Sequence, residues 1–460
     1  MKQAKAELEI SQVMQTLATY ISGALRKPLP EAVQEKTKHH VLDTIAAMVS
    51  GSRLLPGRKA LSFIKTRGGV KEACVVASRF LTTAENAAMA NGMFAHADET
   101  DDSHAPANMH PGCGIVSAAL AMAEREKRSG TQLLRAVALG YDVGTRLTMS
   151  LNSREFRADG HSTHSFGPTF GCAAAAGALA GLNYEQTRYL LSYTVQQASG
   201  VSCWARDVDH IEKAFDFGGM PARNGITAAA MVKHGFTGVE DVFSGENNFY
   251  VPYGRNPNPS ELIRELGSAY EIMNTNIKRW SIGSPMQSPA TSLQELIDTH
   301  RIKSSDVERV VVRVSHQGAP VVDNRTMPDI CMQHIIAVML LDGKLTFESA
   351  HDTKRMKDAR VLKIRKLVDL RGDDELERAM PSRQAIVEVK LKDGRSVEHY
   401  TANARGSAPN PMTRGEVDAK CFDLIAPVVG KLRARKLCDA IWDIEKIKDV
   451  RKLRPLLQAG

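Results

Sequence analysis

The sequence predicts a mainly α-helical protein: a large helical domain, interrupted by a smaller α+β domain before a helical return. Three observations carry this reading. Alanine-rich runs such as "GCAAAAGALAG" recur through the first 270 residues, and alanine is both the best helix former and small enough to let helices pack closely. After about residue 270 the pattern changes to alternation around β-branched valines, as in "DVERVVVRVSH". At 460 residues the chain is too long for a single core, and its 43% hydrophobic and 24% charged content is that of a globular protein.

The elements follow in order. Leu8, Ile10, Val13, Met14, Leu17 and Ile21 recur at helical spacing near the N-terminus, which reads as an amphipathic helix rather than a secretory signal. "LPEAVQEKTKHHVLDTIAAMVSG" predicts a helix ending at Gly51, and "AENAAMANGMFAHA" another. "HPGCGIVSAALAMAEREKRSG" predicts a helix starting after Pro111 and stopping at Gly130. "GTQLLRAVALGYDVGTRL" and "SFGPTFGCAAAAGALAGL" continue the series. "QAIVEVKLKDGRSVEHYTA" predicts a hairpin through Asp393-Gly394. "SPATSLQELIDTH" and "QHIIAVMLLDG" are helices beside it. Thr413 with Glu416 forms a capping-box signal for the helical return. The expected domains are 1–270 plus 406–460 for the helical part and 271–405 for the lid-like α+β part. A cleft between such domains is a common ligand site.

Composition excludes several classes. No segment reaches the ~18 apolar residues of a membrane span, so a cytoplasmic protein with no membrane partner is expected. The net charge of +8 comes from dispersed basic residues with only 5% aromatics, which argues against nucleic acid and suits a site that gathers small polyanions. The seven cysteines are scattered, form no C-x-x-C, and read as reduced core residues.

The stretch His96–His110, "HADETDDSHAPANMH", holds three histidines, three aspartates and one glutamate between two helices. A loop of this kind can aim several side chains inward. His96, His104 and His110 with Asp101 or Asp102 are possible metal ligands, but no H-x-x-x-H pair pre-forms a metal site. Histidines beside carboxylates also suit proton chemistry, and an ordinary polar loop has the same composition. "GHSTHSFGPTFGCAAAA" adds His161 and His164 before a glycine-containing helix. "HIEKAFDFGGMPARNGITAAAMV" places Lys213 before Gly218-Gly219 and Arg223 at a helix start. "NIKRWSIGSPMQSPATSL" sets Lys278 and Arg279 at the domain border.

This ordered set resembles the MmgE/PrpD family. The family loop H-A-x-D-x-D-D-T followed by H-P is similar to "HADETDDSH…HPG". Its G-F-H-x-T motif with an alanine run resembles "GHSTHSFGPTFGCAAAA", and its lysine before G…A-R-N-G resembles "KAFDFGGMPARNGITAAA". "KRW" and "GSAPNPMTRGEVDAK" complete the order across nearly the whole chain. The resemblance implies a large all-α domain, a smaller α+β domain, a homodimer, and a cofactor-free, metal-free site between the domains. It also implies a small polycarboxylate substrate. Family members dehydrate 2-methylcitrate, decarboxylate cis-aconitate or epimerise iminodisuccinate.

Carried over to this chain, the resemblance implies that His110 and His161 are the acid–base pair. Glu99 or Asp102 would orient His110, and Ser103, where the family has threonine, would donate a hydrogen bond. Lys213 and Lys278 would bind substrate carboxylates, with Asp101, His164 and His334 also touching substrate. Three departures bear on substrate: Glu99 replaces an aspartate, Gly283 a histidine and His334 a tyrosine. The expected activity is a hydro-lyase acting on a hydroxy di- or tricarboxylate. An epimerase or isomerase, a decarboxylase, a non-catalytic polycarboxylate-binding protein and a metal-dependent enzyme are the competing readings.

Overall fold

A computed structural model describes residues 10–458. The chain forms two compact units. The first comprises the chain up to Ala97, Asp102–Thr275, and the chain from Val417 on; the second comprises Asp98–Asp101 and Asn276–Glu416. The four-residue segment Asp98–Asp101, expected within the helical part, thus groups with the second unit.

The first unit is helical. Helix α1 (Gln12–Gly23) begins where Ser11 Oγ accepts from the Met14 N–H, and it buries Met14, Leu17, Ala18 and Ile21. Ile10 precedes the helix, and Leu8 lies outside the described residues. Helices α2 (Glu31–Gly51) and α3 (Ala84–Ala95) follow. Helix α4 (Pro111–Arg125) starts at Pro111 itself, where the missing N–H costs nothing. It ends five residues before the expected stop. Gly130 instead opens helix α5 (Gly130–Ser150), because Ser129 and Gln132 form a capping box there. Helix α6 (Thr163–Ala180) is buried along its whole length, which its run of alanines and glycines permits. Helix α7 (Met220–Lys233) continues directly from a π-helical turn, Phe215–Gly219.

The second unit carries a four-stranded sheet of β1 (Val307–Ser315), β2 (Val368–Asp373), β3 (Ala385–Leu391) and β4 (Ser396–Thr401), in the order β2-β1-β3-β4. β1 pairs parallel with β2 and antiparallel with β3. β3 and β4 form the hairpin, with Gly394 at φ 89° in its turn. Val307, Val310, Val312 and Val314 point inward with Val387 and Val389. They pack with Leu293 and Leu296 of α8 (Gln287–His300) and Ile335 and Ile336 of α9 (Met332–Asp342) in one apolar core. A short helix, α10 (Phe347–His351), follows α9.

Six of the seven cysteines are buried, as core cysteines should be. Cys203 departs from that reading and is exposed. Among the described residues no helix is long and apolar enough to cross a membrane.

Candidate active site

The first unit gathers histidines around one phenylalanine. Phe217 sits in the π-helical turn, a distortion that often marks functional sites because it re-aims a side chain. Gly92 of α3 and Gly218 make the approach possible: a Cβ on Gly218 would stand 2.1 Å from the Gly92 carbonyl oxygen, and one on Gly92 2.4 Å from that of Gly218. The two backbones therefore touch, and Phe217 is carried up to the end of α3. There His96, the C-cap of α3, stacks on Phe217 at 4.2 Å with ring planes 20° apart. His164, in the first turn of α6, stacks on it at 3.8 Å and 6°. Two rings cannot share one face at these distances, so Phe217 lies between the two imidazoles. His110, the N-cap residue of α4, completes the group, 5.0 Å from His96 and 5.3 Å from His164 by ring centroids. His210 lies 5.1 Å from His96. Trp204 stands edge-on to His164 at 5.3 Å.

Electrostatics keep His164 uncharged. Burial lowers its pKa well below the ordinary histidine value, and the neighbouring His110, Arg157, His96 and Lys213 lower it further. Its Nδ1 is buried and makes no hydrogen bond among the described residues. Lys213 adds positive charge nearby: its Nζ lies over the Phe217 ring at 5.3 Å and over Trp204 at 5.7 Å. Behind the cluster, the Trp204 indole donates to Ser162 Oγ at 3.0 Å, and Ser162 donates to Asp216 at 2.5 Å. Burial raises the Asp216 pKa to about 7.

His110 owes its position to Asp102. One oxygen of the Asp102 carboxylate accepts the Gly112 N–H at 2.9 Å, at the start of α4. The other accepts from His40 Nδ1 at 2.6 Å and from the Tyr141 hydroxyl at 2.5 Å. His40, on α2, is fully buried, and burial holds its pKa down at about 4 against the pull of Asp102. A Cβ on Gly112 would stand 2.8 Å from Asp102 Oδ1 and 2.7 Å from the Tyr141 hydroxyl, so only glycine fits. Asp102 thus fixes the first turn of the helix that His110 caps.

The second unit holds Glu99, Asp101, Lys278 and His334. Lys278 is buried, and its Nζ donates to the Glu99 carbonyl at 2.8 Å and to Glu99 Oε2 at 3.1 Å, with Asp101 Oδ1 at 3.8 Å. Burial works to lower its pKa, but Glu99 and Asp101 outweigh that and raise it, so the ammonium stays charged. In this structure Lys278 is therefore an anchor for the acidic segment, beyond the substrate-carboxylate role expected of it. His334, on α9, is fully buried, with both ring nitrogens lacking hydrogen-bond partners among the described residues. Burial first, then Arg365 and Arg355, bring its pKa down to about 4. Gly283 begins the short turn Ser284–Met286 and donates its N–H to the Asp329 carbonyl.

One expected pair is not brought together. The ring neighbours of His161 are Phe156 at 4.5 Å, Tyr253 at 5.7 Å and Phe166 at 5.9 Å, an aromatic group distinct from the one around Phe217. His161 precedes α6, whereas His164 lies inside its first turn, and the helical twist sends the two rings to different neighbours. His164, read from the sequence as a substrate contact, is the histidine of this segment whose ring packs beside His110. Ser103 is half-buried in the two-residue strand Ser103–His104. His104, a possible metal ligand from the sequence, is spent structurally: its Nδ1 accepts from the Ala107 N–H and its Nε2 pairs with Glu271 at 3.2 Å.

Sequence reasoning missed Phe217, Trp204, His210, Asp216 and His40. Phe217, Asp216 and His210 carried a signal, lying in the stretch "HIEKAFDFGG" around Lys213. The others come from elements whose meeting no local pattern reveals.

Comparison with known proteins bears on the whole chain. The MmgE/PrpD N-terminal domain matches residues 15–262 and the MmgE/PrpD C-terminal domain residues 280–444. A cis-aconitate decarboxylase-like protein, oryM, of Aspergillus oryzae is 25% identical, over 96% of this chain and 96% of its own. Cis-aconitate decarboxylases of Aspergillus terreus and Homo sapiens are each 23% identical, over 97% and 98% of this chain and 96% and 95% of theirs.

Proposed function

Because the chain belongs to the MmgE/PrpD family, we propose that it is a lyase acting on a small polycarboxylate, first of all a hydro-lyase on a hydroxy di- or tricarboxylate. The observation that carries this reading is the cluster of His96, His110 and His164 around Phe217, with Lys213 beside it.

Dehydration next to a carboxylate has two demands. A proton must leave carbon while negative charge builds on an already anionic carboxylate, and the leaving hydroxyl must gain a proton. In this reading His164, uncharged, takes the proton from carbon. His110 gives one to the hydroxyl, which departs as water. Before substrate binds, His164 is a weak base. Burial depresses it most, and a polyanionic substrate offsets the positive neighbours that add to that, raising its basicity when it is needed. Lys213 holds carboxylate charge in the first unit; taken by itself, the second unit offers Lys278 for a carboxylate and His334, whose two ring nitrogens lack partners among the described residues. Ser103 supplies a hydrogen bond, and Glu99 and Asp101 set the position of Lys278.

The relatives named cis-aconitate decarboxylase favour a second reading on the same residues. There a C–CO₂⁻ bond breaks, carbon dioxide leaves, and a histidine protonates the carbon. One experiment separates the readings. The purified chain is incubated in D₂O with 2-methylcitrate, citrate, cis-aconitate, iminodisuccinate and short 2-hydroxy diacids, and followed by NMR. The proposal expects loss of water from a hydroxy acid. Carbon dioxide release selects the second reading, and proton exchange without net conversion points to an epimerase. Binding without any change overturns the catalytic proposal.

A further inference from the structure

His351 belongs to no motif, yet it is built into the same acidic segment as Lys278. It ends the short helix α10, in the second unit, with its side chain 13% exposed. Its Nδ1 lies 2.7 Å from the Phe347 carbonyl oxygen, which can only accept, so Nδ1 carries a proton. Its Nε2 lies 2.8 Å from Asp98 Oδ2, although not well aimed for a hydrogen bond, and 4.0 Å from Asp329 Oδ2. A carboxylate at that distance calls for a proton on Nε2 as well. The geometry therefore describes an imidazolium, facing Asp98 from the acidic segment, Asp329 from the turn Pro328–Ile330, and the Phe347 carbonyl of its own helix. Packing against the Phe347 ring at 4.2 Å fixes its orientation.

Asp98 is itself a framework residue. Its two oxygens accept from the Thr100 N–H at 2.9 Å and the Thr100 hydroxyl at 2.7 Å, folding the segment into a tight turn. The neighbouring Glu99 and Asp101 hold Lys278. Two buried cations thus grip three residues of the four-residue segment: His351 holds Asp98, and Lys278 holds Glu99 and Asp101.

We propose that His351 is a positioning residue, a buried imidazolium that clamps Asp98 and through it sets the geometry of Glu99 and Lys278 for a carboxylate substrate. The kinetic part rests on the lyase reading above; the protonation part does not. Burial opposes the charge on His351, but Asp98, then Asp329, more than compensate and raise its pKa to about 9. The clamp is complete below about 6.5, the unfolded value, and is lost as pH rises through about 9.

The test uses the full chain with ¹³C-labelled histidine rings. In the wild type the resonance that disappears in His351→Gln titrates above pH 8, and in Asp98→Asn its midpoint falls by at least one pH unit. A midpoint near 6.5 in the wild type, or one unmoved by Asp98→Asn, overturns the clamp whether or not the chain is a lyase. On the acid found to be turned over, His351→Gln raises KM about tenfold at pH 7 with kcat within about threefold. The rise of wild-type KM above pH 8.5 is absent in the variant. Loss of kcat and KM in proportion, with the alkaline rise of KM retained, overturns the positioning role. If the wild type turns over none of the acids, the lyase reading fails and the titration alone decides the clamp.

Discussion

The histidine cluster of the first unit and the acidic segment of the second are both buried and both rich in titratable groups, but they handle charge in opposite ways. Around Phe217, imidazoles meet aromatic faces and each other, and desolvation leaves His164 neutral. Around Lys278 and His351, each buried cation has a carboxylate within about 3 Å, and the charges are held in place. Groups matched to a permanent counter-ion resist changing protonation state. His164 instead packs against the Phe217 ring, and burial there disfavours its charged form. On the proposed lyase reading, proton movement falls to the first region and charge placement to the second.

Substitutions can break that division, and the largest effects belong to the cluster. His164→Ala or His110→Ala should lower kcat by roughly 10²–10⁴ in protein that the circular dichroism spectrum shows to be folded. Wild-type turnover in either variant would remove proton chemistry from the cluster. Lys278→Met should act in the opposite manner. It strands Glu99 and Asp101 without their buried cation, costing about 3–5 kcal/mol of stability, read as a large fall in the denaturant midpoint. Lys213→Met should raise KM for the acid that is turned over, as steady-state kinetics would show.

Smaller effects sharpen the picture. Asp102→Asn disturbs the bonds to His40, Tyr141 and Gly112, so about 1–3 kcal/mol of stability should go, with a modest fall in kcat because α4 still carries His110. Tyr141→Phe should cost less, because it removes a donor and leaves Asp102 two others. The smallest effect concerns Asp216. Its pKa is raised by burial, so its neutral form favours folding; that contribution is complete below the unfolded value of 3.8 and lost as pH rises through about 7. Asp216→Asn should be more stable than wild type at pH 8 and no more stable at pH 4, as thermal melts at the two pH values would show.

The fold was legible because its signals are local. The alanine runs of α6, the valine alternation of β1 and the Asp393-Gly394 turn each declare an element within about twenty residues. The boundary error at α4 arose because Gly130 was read as a stop, when Ser129 and Gln132 make it a start. The site was legible only in part. His110, Lys213 and Lys278 lie in ordered motifs, but which histidine of "GHSTH" joins His110 depends on where α6 begins, a matter of one turn. Phe217 was invisible as an organiser because its role comes from a π-helical turn and from the contact between Gly92 and Gly218, far apart in sequence. His351 was invisible because it meets Asp98 from more than 250 residues away.

The exchange of His161 for His164 is the point on which the account most depends. The decisive measurement is turnover of the identified acid by His164→Gln and His161→Gln, assayed side by side at equal folded concentration. The account predicts that His164→Gln loses at least a hundredfold in kcat while His161→Gln stays within about fivefold of wild type. Full activity in His164→Gln with loss in His161→Gln would contradict it.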